Sequence, residues 1–148
     1  MKIVFLIAAV LLAGGALAQQ PPAPGAAPGA QRVVVPLLPE EREHVLGEMR
    51  DFLAMLQQSL SALARGDFDA VAAAAKPLGT GGDKGRMPPA IAKKLPPEFR
   101  ALARSTHGQI DAFAADAAAR RDLQHSLTQA GRLLQACNAC HALFQFPK

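Results

Sequence analysis

Tryptophan and tyrosine are absent from this chain, and aromatic residues make up only 5% of it. Surfaces for stacking nucleic-acid bases are therefore scarce. Lys and Arg are interspersed with Asp and Glu, so no concentrated basic stripe exists, and a nucleic-acid partner is not expected. β-Branched residues are sparse after about residue 36 while alanine is abundant, which leaves strands almost without support and favours helices. The loop Thr80–Pro89 has glycines but not the Gly-x4-Gly-Lys-Ser/Thr order of a phosphate-binding loop. No HExxH motif, Ser/His/Asp triad or paired-carboxylate constellation is recognisable, and an enzyme is not expected. Cysteine occurs only twice.

What is present begins with an export signal. Lys2 supplies a positive start, Ile3–Leu12 is an apolar run, and Ala16-Leu17-Ala18 is a small-x-small cleavage site. The run is short for a membrane span, which needs about 20 residues, and no charged flank follows it. A retained anchor is the competing reading. Cleavage after Ala18 removes one Lys and no acid, so the formal net charge falls from +4 to +3. No cysteine follows the run, which excludes a lipid anchor there. The expected location is the periplasm, with nothing spanning the membrane after cleavage.

Residues 19–38 form a lead-in rich in Pro, Gly and Ala at first, then apolar over Arg32–Leu38, a stretch able to pack on the fold's surface. The folded domain is expected over 39–148. A first helix should run from Pro39 to about Arg65, with acids in its first turn and Val45, Met49, Phe52, Leu56, Leu60 and Leu63 on its inner face. Gly66 ends it. Asp67 caps a second helix over Phe68–Lys76, with Phe68, Val71, Ala72 and Ala75 inward. Pro96 and Pro97 open a third, reaching Arg120, with Phe99, Leu102, Thr106, Ile110, Phe113 and Ala117 inward. Asp122 starts the fourth, in which Leu123, Leu127, Ala130, Leu134, Cys137, His141 and Phe144 recur at steps of three and four. The implied fold is all-α, an antiparallel four-helix bundle.

The sharpest motif is Cys137-Asn138-Ala139-Cys140-His141. Cys-x-x-Cys-His is the attachment signature of c-type haem. Two thiols at that spacing match the two vinyl groups of one porphyrin, and the adjacent imidazole matches its iron. A dithiol redox pair is the first alternative, but it belongs beside a βαβ pattern. Half a zinc site lacks its second ligand pair. A plain structural disulfide also stays open.

An export signal, four expected helices and CNACH within the last dozen residues together resemble the class II, helical-bundle cytochromes c, the superfamily of cytochrome c prime and its low-spin relatives. The resemblance covers about Glu40 to Phe146. It implies one covalent haem c, thioether-linked through Cys137 and Cys140, with His141 as the proximal iron ligand. It also implies that the first helix faces the distal side, where low-spin relatives place a Met. Met49 lies on the inner stripe and is the candidate distal ligand; Met55 falls nearer the polar side, with Asp51 and Gln58. Cytochrome c prime commonly carries Arg or Lys shortly after the haem His, whereas this chain reads Ala142-Leu143-Phe144-Gln145-Phe146-Pro147-Lys148.

Met87 is a further thioether, in a loop able to fold over the haem. His107 flanks the third helix's inner stripe, either toward a propionate or iron, or as a capped, half-exposed side chain. His44 and His125 face solvent. Arg100, Arg104, Lys93 and Lys94 are candidates to neutralise propionates, with plain surface charge as the alternative. The first expectation is an electron carrier for redox partner proteins, some of them membrane-bound. The second is a five-coordinate haem protein that binds nitric oxide or carbon monoxide, with Met49 merely lining the pocket. A haem peroxidase ranks last, because the first helix's inner face has no polar group to move protons. Relatives often dimerise through their first two helices, which leaves room for a homodimer here.

Mass spectrometry of the exported protein is expected to find a mature chain beginning at Gln19. Retention of Met1–Ala18 would show an anchor instead.

Overall fold

The computed structural model describes residues 31–84 and 87–147. The expected signal peptide (1–18), the first part of the lead-in and Lys148 lie outside the described residues. The protein is predominantly helical. In chain order come strand β1 (Val33–Val34), helix α1 (Pro39–Leu63), helix α2 (Phe68–Ala75), a 3-10 turn (Lys76–Leu78), short helix α3 (Pro89–Ala92), helix α4 (Pro97–Arg120), helix α5 (Leu123–Leu143) and strand β2 (Phe144–Gln145). Among the described residues no helix is long and apolar enough to cross a membrane.

Local chemistry accounts for most of the helix ends. The Glu41 carboxylate accepts the Leu38 N–H at 2.9 Å and holds the Lys94 ammonium at 2.7 Å. The Lys94 hydrogen bond first, then that N–H, keep the Glu41 carboxyl below its ordinary range. Asp67 accepts from the Ala70 N–H, and Asp122 from the His125 N–H, both at 3.0 Å, so each expected cap is in place. α1 stops short of Gly66, whose φ of +70° is open to glycine at no steric cost. α4 ends at Arg120, and the capping Arg121 is also left-handed at φ 50°.

α1 packs on α2 and α5, and α4 packs on the same two helices, so these four close a ring. The interior divides into two apolar clusters. One joins Met55, Leu56, Leu63, Val71, Leu78, Ile110, Phe113, Ala117, Ala130 and Leu133. The other joins Val35, Val45, Ile91, Leu95, Phe99 and Phe144, with Met49, Met87, Cys140 and Phe146 packed against it.

Several expectations need correcting. Met55 is not on the polar side of α1: it is 3% exposed, in the first cluster. α2 lies against the C-terminal half of α1, so that half buries a wider stripe (Met55, Leu56, Ser59, Ala62, Leu63) than a single-face pattern predicts. Leu60, expected inside, is exposed. On α5 the buried positions are Ser126, Ala130 and Leu133, whereas Leu123, Leu127 and Leu134 are exposed. Ala130 is buried as expected, and Ser126 and Leu133, each one residue before an expected leucine, take the buried places on either side of it. α3 was not expected; Pro89 in its first turn starts it within the loop. The strands were not expected either. β1 and β2 pair in parallel, Val33 with Phe144 and Val34 with Gln145.

Phe113 has no exposed surface in the first cluster. Phe113→Ala should cost about 3–5 kcal/mol of unfolding free energy, read as a lowered urea midpoint; a change within error would mean the ring is not a core member.

Candidate functional site

A cleft of about 610 Å³ opens between the two clusters. That is within the ~300–1,000 Å³ range of small-molecule and cofactor sites. α1 contributes Val45, Met49, Phe52, Leu53 and Leu56 at helical spacing; α4 contributes Phe99, Leu102, Ala103 and His107; α5 contributes Leu134, Cys137, Cys140 and His141. Met87 and Leu95 complete it from the segment around α3. The exposure of Leu53 (66%) and Leu134 (43%) has its reason here, since both line the cleft.

The sequence-predicted residues converge on this one place. Cys137, Cys140 and His141 fall at i, i+3 and i+4, so α5 presents all three to the cleft. Met49 lines it from α1, and Met87 also lines it. Cys137 and Cys140 are half-buried free thiols, and His141 is exposed and makes no side-chain hydrogen bond to a described residue. His141 therefore lies at the cleft wall rather than on a buried stripe. Its ring nitrogens are free to act as ligands.

The thiols are shifted away from redox chemistry. Burial pushes Cys137 up, and burial followed by the neighbouring Cys137 pushes Cys140 up to about 11. Both sit near the negative end of the α5 dipole, which also disfavours a thiolate. Dithiol exchange calls for lowered thiol pKa values, so this environment does not suit it. Among the described residues no group of three His, Cys, Asp or Glu side chains is arranged around a bare metal ion.

His107 is held on both sides. Its Nδ1–H donates to the Leu78 carbonyl at 2.7 Å, its Nε2 lies 3.4 Å from Glu48 Oε1, and Phe52 packs edge-on at 5.3 Å. The capped-histidine reading is the one observed, and the ring is not free to ligate. The Glu48 hydrogen bond raises its pKa against the opposing effect of burial. Glu48, which sequence reasoning missed, thereby has a partner inside an apolar wall. Its spacing on α1 gave no sign of a partner 59 residues away in the chain.

Four cations were candidates for the rim. Arg100 and Arg104 line the cleft and make no ion pair to a described residue. Lys94 is committed to Glu41. Lys93 is exposed and does not line the cleft. Arg50, which was not anticipated, also lines it and pairs with Glu43. His44 is exposed as expected; His125 is not fully in solvent, because its Nε2 bonds Asp116 Oδ2 at 2.8 Å and ties α5 to α4.

The residues present fit a largely apolar group with anionic substituents. The walls are hydrocarbon, two thiols and an unpartnered imidazole stand together on one side, a thioether faces from another helix, and two unpaired arginines stand at the edge. No family model matches this chain, nor does any curated protein or solved structure.

The His107–Glu48 pair gives a pH dependence. A raised folded-state pKa means stabilisation that is complete below the unfolded value, ~6.5, and is lost as pH rises through the folded value. The stability gap between wild type and His107→Gln, measured by urea unfolding, should shrink as pH rises from 6 to 9. A gap that widens would mean that the pair does not hold the proton.

Proposed function

We propose that this chain is an exported c-type cytochrome of the class II kind, an antiparallel four-helix bundle that carries single electrons between redox partner proteins through one covalent haem c. One observation carries the reading: the Cys-x-x-Cys-His residues and Met49, 88 positions apart from Cys137, line one apolar cleft of cofactor size. Haem bound there supplies a one-electron iron couple.

The chain's residues have distinct parts in this reading. Cys137 and Cys140 hold the group covalently, and His141 supplies the proximal nitrogen. Met49 offers a thioether, which favours reduced iron and raises the potential. Val45, Phe52, Leu56, Phe99 and Leu102 exclude water and lower the local dielectric. Arg100 and Arg104 would neutralise the propionates. Glu48 is engaged by His107. The apolar α1 wall has no proton-moving group apart from this engaged pair, which supports a carrier over a peroxidase.

Optical spectra of the haem-loaded protein, oxidised and reduced, test the reading. Wild type should be low-spin with a weak long-wavelength Met-to-iron band, and Met49→Ala should lose that band and fall in midpoint potential. In Cys137→Ser/Cys140→Ser the pigment should become extractable by acidified organic solvent. A high-spin wild type unchanged by Met49→Ala would remove Met49 as ligand and put nitric oxide or carbon monoxide binding first. A protein that takes up no haem would overturn the proposal.

A further inference from the structure

His141 lies in the last turn of α5, which ends at Leu143. A helix has no intrahelical partners for its last four carbonyls, and its last turn is the first to fray. A residue that must hold a metal at fixed geometry is poorly served by such a turn unless something outside the helix secures it. In α5 that support comes from the opposite end of the chain.

The tail directly after His141 is captured by the segment before α1. β2 starts at Phe144 and runs parallel to β1. The Val35 N–H donates to the Gln145 carbonyl at 3.0 Å, and the Gln145 side chain returns a bond to the Arg32 carbonyl at 3.3 Å. From α1, the Arg42 guanidinium donates to the Phe146 carbonyl at 3.4 Å. Side chains secure the same join. Val35 has no exposed surface, and Phe144 and Phe146 both pack edge-on against Phe99 of α4, at 5.3 and 5.8 Å. Met49 and Cys140 pack against this cluster. So one body of side chains touches the helix turn that carries His141 and the helix that carries Met49.

We infer that Val33–Val35 is a positioning strap for the iron site, with Val35 as its key residue: it pins the last turn of α5 and sets His141 and Met49 at a fixed separation across the cleft. A parallel pair two residues long has little stability of its own. Its value lies in stopping α5 at Leu143 and denying the tail other conformations. The inference rests on the haem reading above and adds to it a role for residues that precede the helices.

The test uses the full haem-loaded chain with Val35→Ala, Val35→Ile and, as a control in the other cluster, Phe113→Ala. The readouts are the Met-to-iron band per haem, the midpoint potential and the thermal midpoint, all taken well below unfolding. Val35→Ala should lose the band several-fold and fall in potential while its far-UV helical signal stays that of wild type; Val35→Ile should retain both. Phe113→Ala should lower the thermal midpoint as much or more, with the band unchanged. If Val35→Ala lowers only the thermal midpoint, the strap is ordinary packing and the inference is overturned. A wild type that lacks haem or the band overturns the reading of the site itself, and the strap's role with it, before any variant is compared.

Discussion

A helix that ends in solvent leaves its last carbonyls without partners, and α5 carries Cys137, Cys140 and His141 within its final two turns. The rest of the architecture depends on how that end is held. Phe144 and Phe146 lie against Phe99, so α4 must run past the end of α5. Val35 fills the remaining space, so the chain before α1 must return across the tail. Arg42 closes the same join from α1. Three helices and the first strand thus meet where the special side chains are.

The split of the interior into two apolar clusters follows from the same arrangement. Around Phe113 and Ile110, α2 completes the packing with small residues, and the helices close on one another. Toward Phe99, among the described residues, no helix as long as α2 stands in the corresponding place. The segment carrying Met87, Ile91 and Leu95 stands there instead, and the walls remain apart. A cleft with such walls raises thiol pKa values and makes any unpaired charge costly. The structure respects that cost at Glu48, the acid lining the cleft, which meets His107, while Arg104 is exposed to solvent.

Much of this was legible in the chain. Helix limits were written in Pro39, Gly66, Asp67, Pro97 and Asp122, because caps and breakers act through neighbours three or four residues away. Cys137 and His141 were placed on one face by helical spacing and Cys140 joined them through the Cys-x-x-Cys-His motif, and Met49 was placed on the inner stripe by spacing. The rule failed where burial depends on a partner. Met55 was misassigned because α2 covers a second side of α1, and Leu123 and Leu127 because Ser126 takes the buried place beside Ala130.

What the sequence by itself determined, then, is the helical composition, the element limits and the residue types that carry chemistry, all of them local properties of a polypeptide read over a few residues. The tertiary structure alone decided which faces are buried, that His107 is spent on Leu78 and Glu48, that Arg50, Arg100 and Arg104 reach the cleft while Lys93 and Lys94 do not, and that Val33–Val35 grips the tail beyond His141. Those outcomes join residues tens of positions apart. They depend on which surfaces exclude water together, and no local periodicity contains that information.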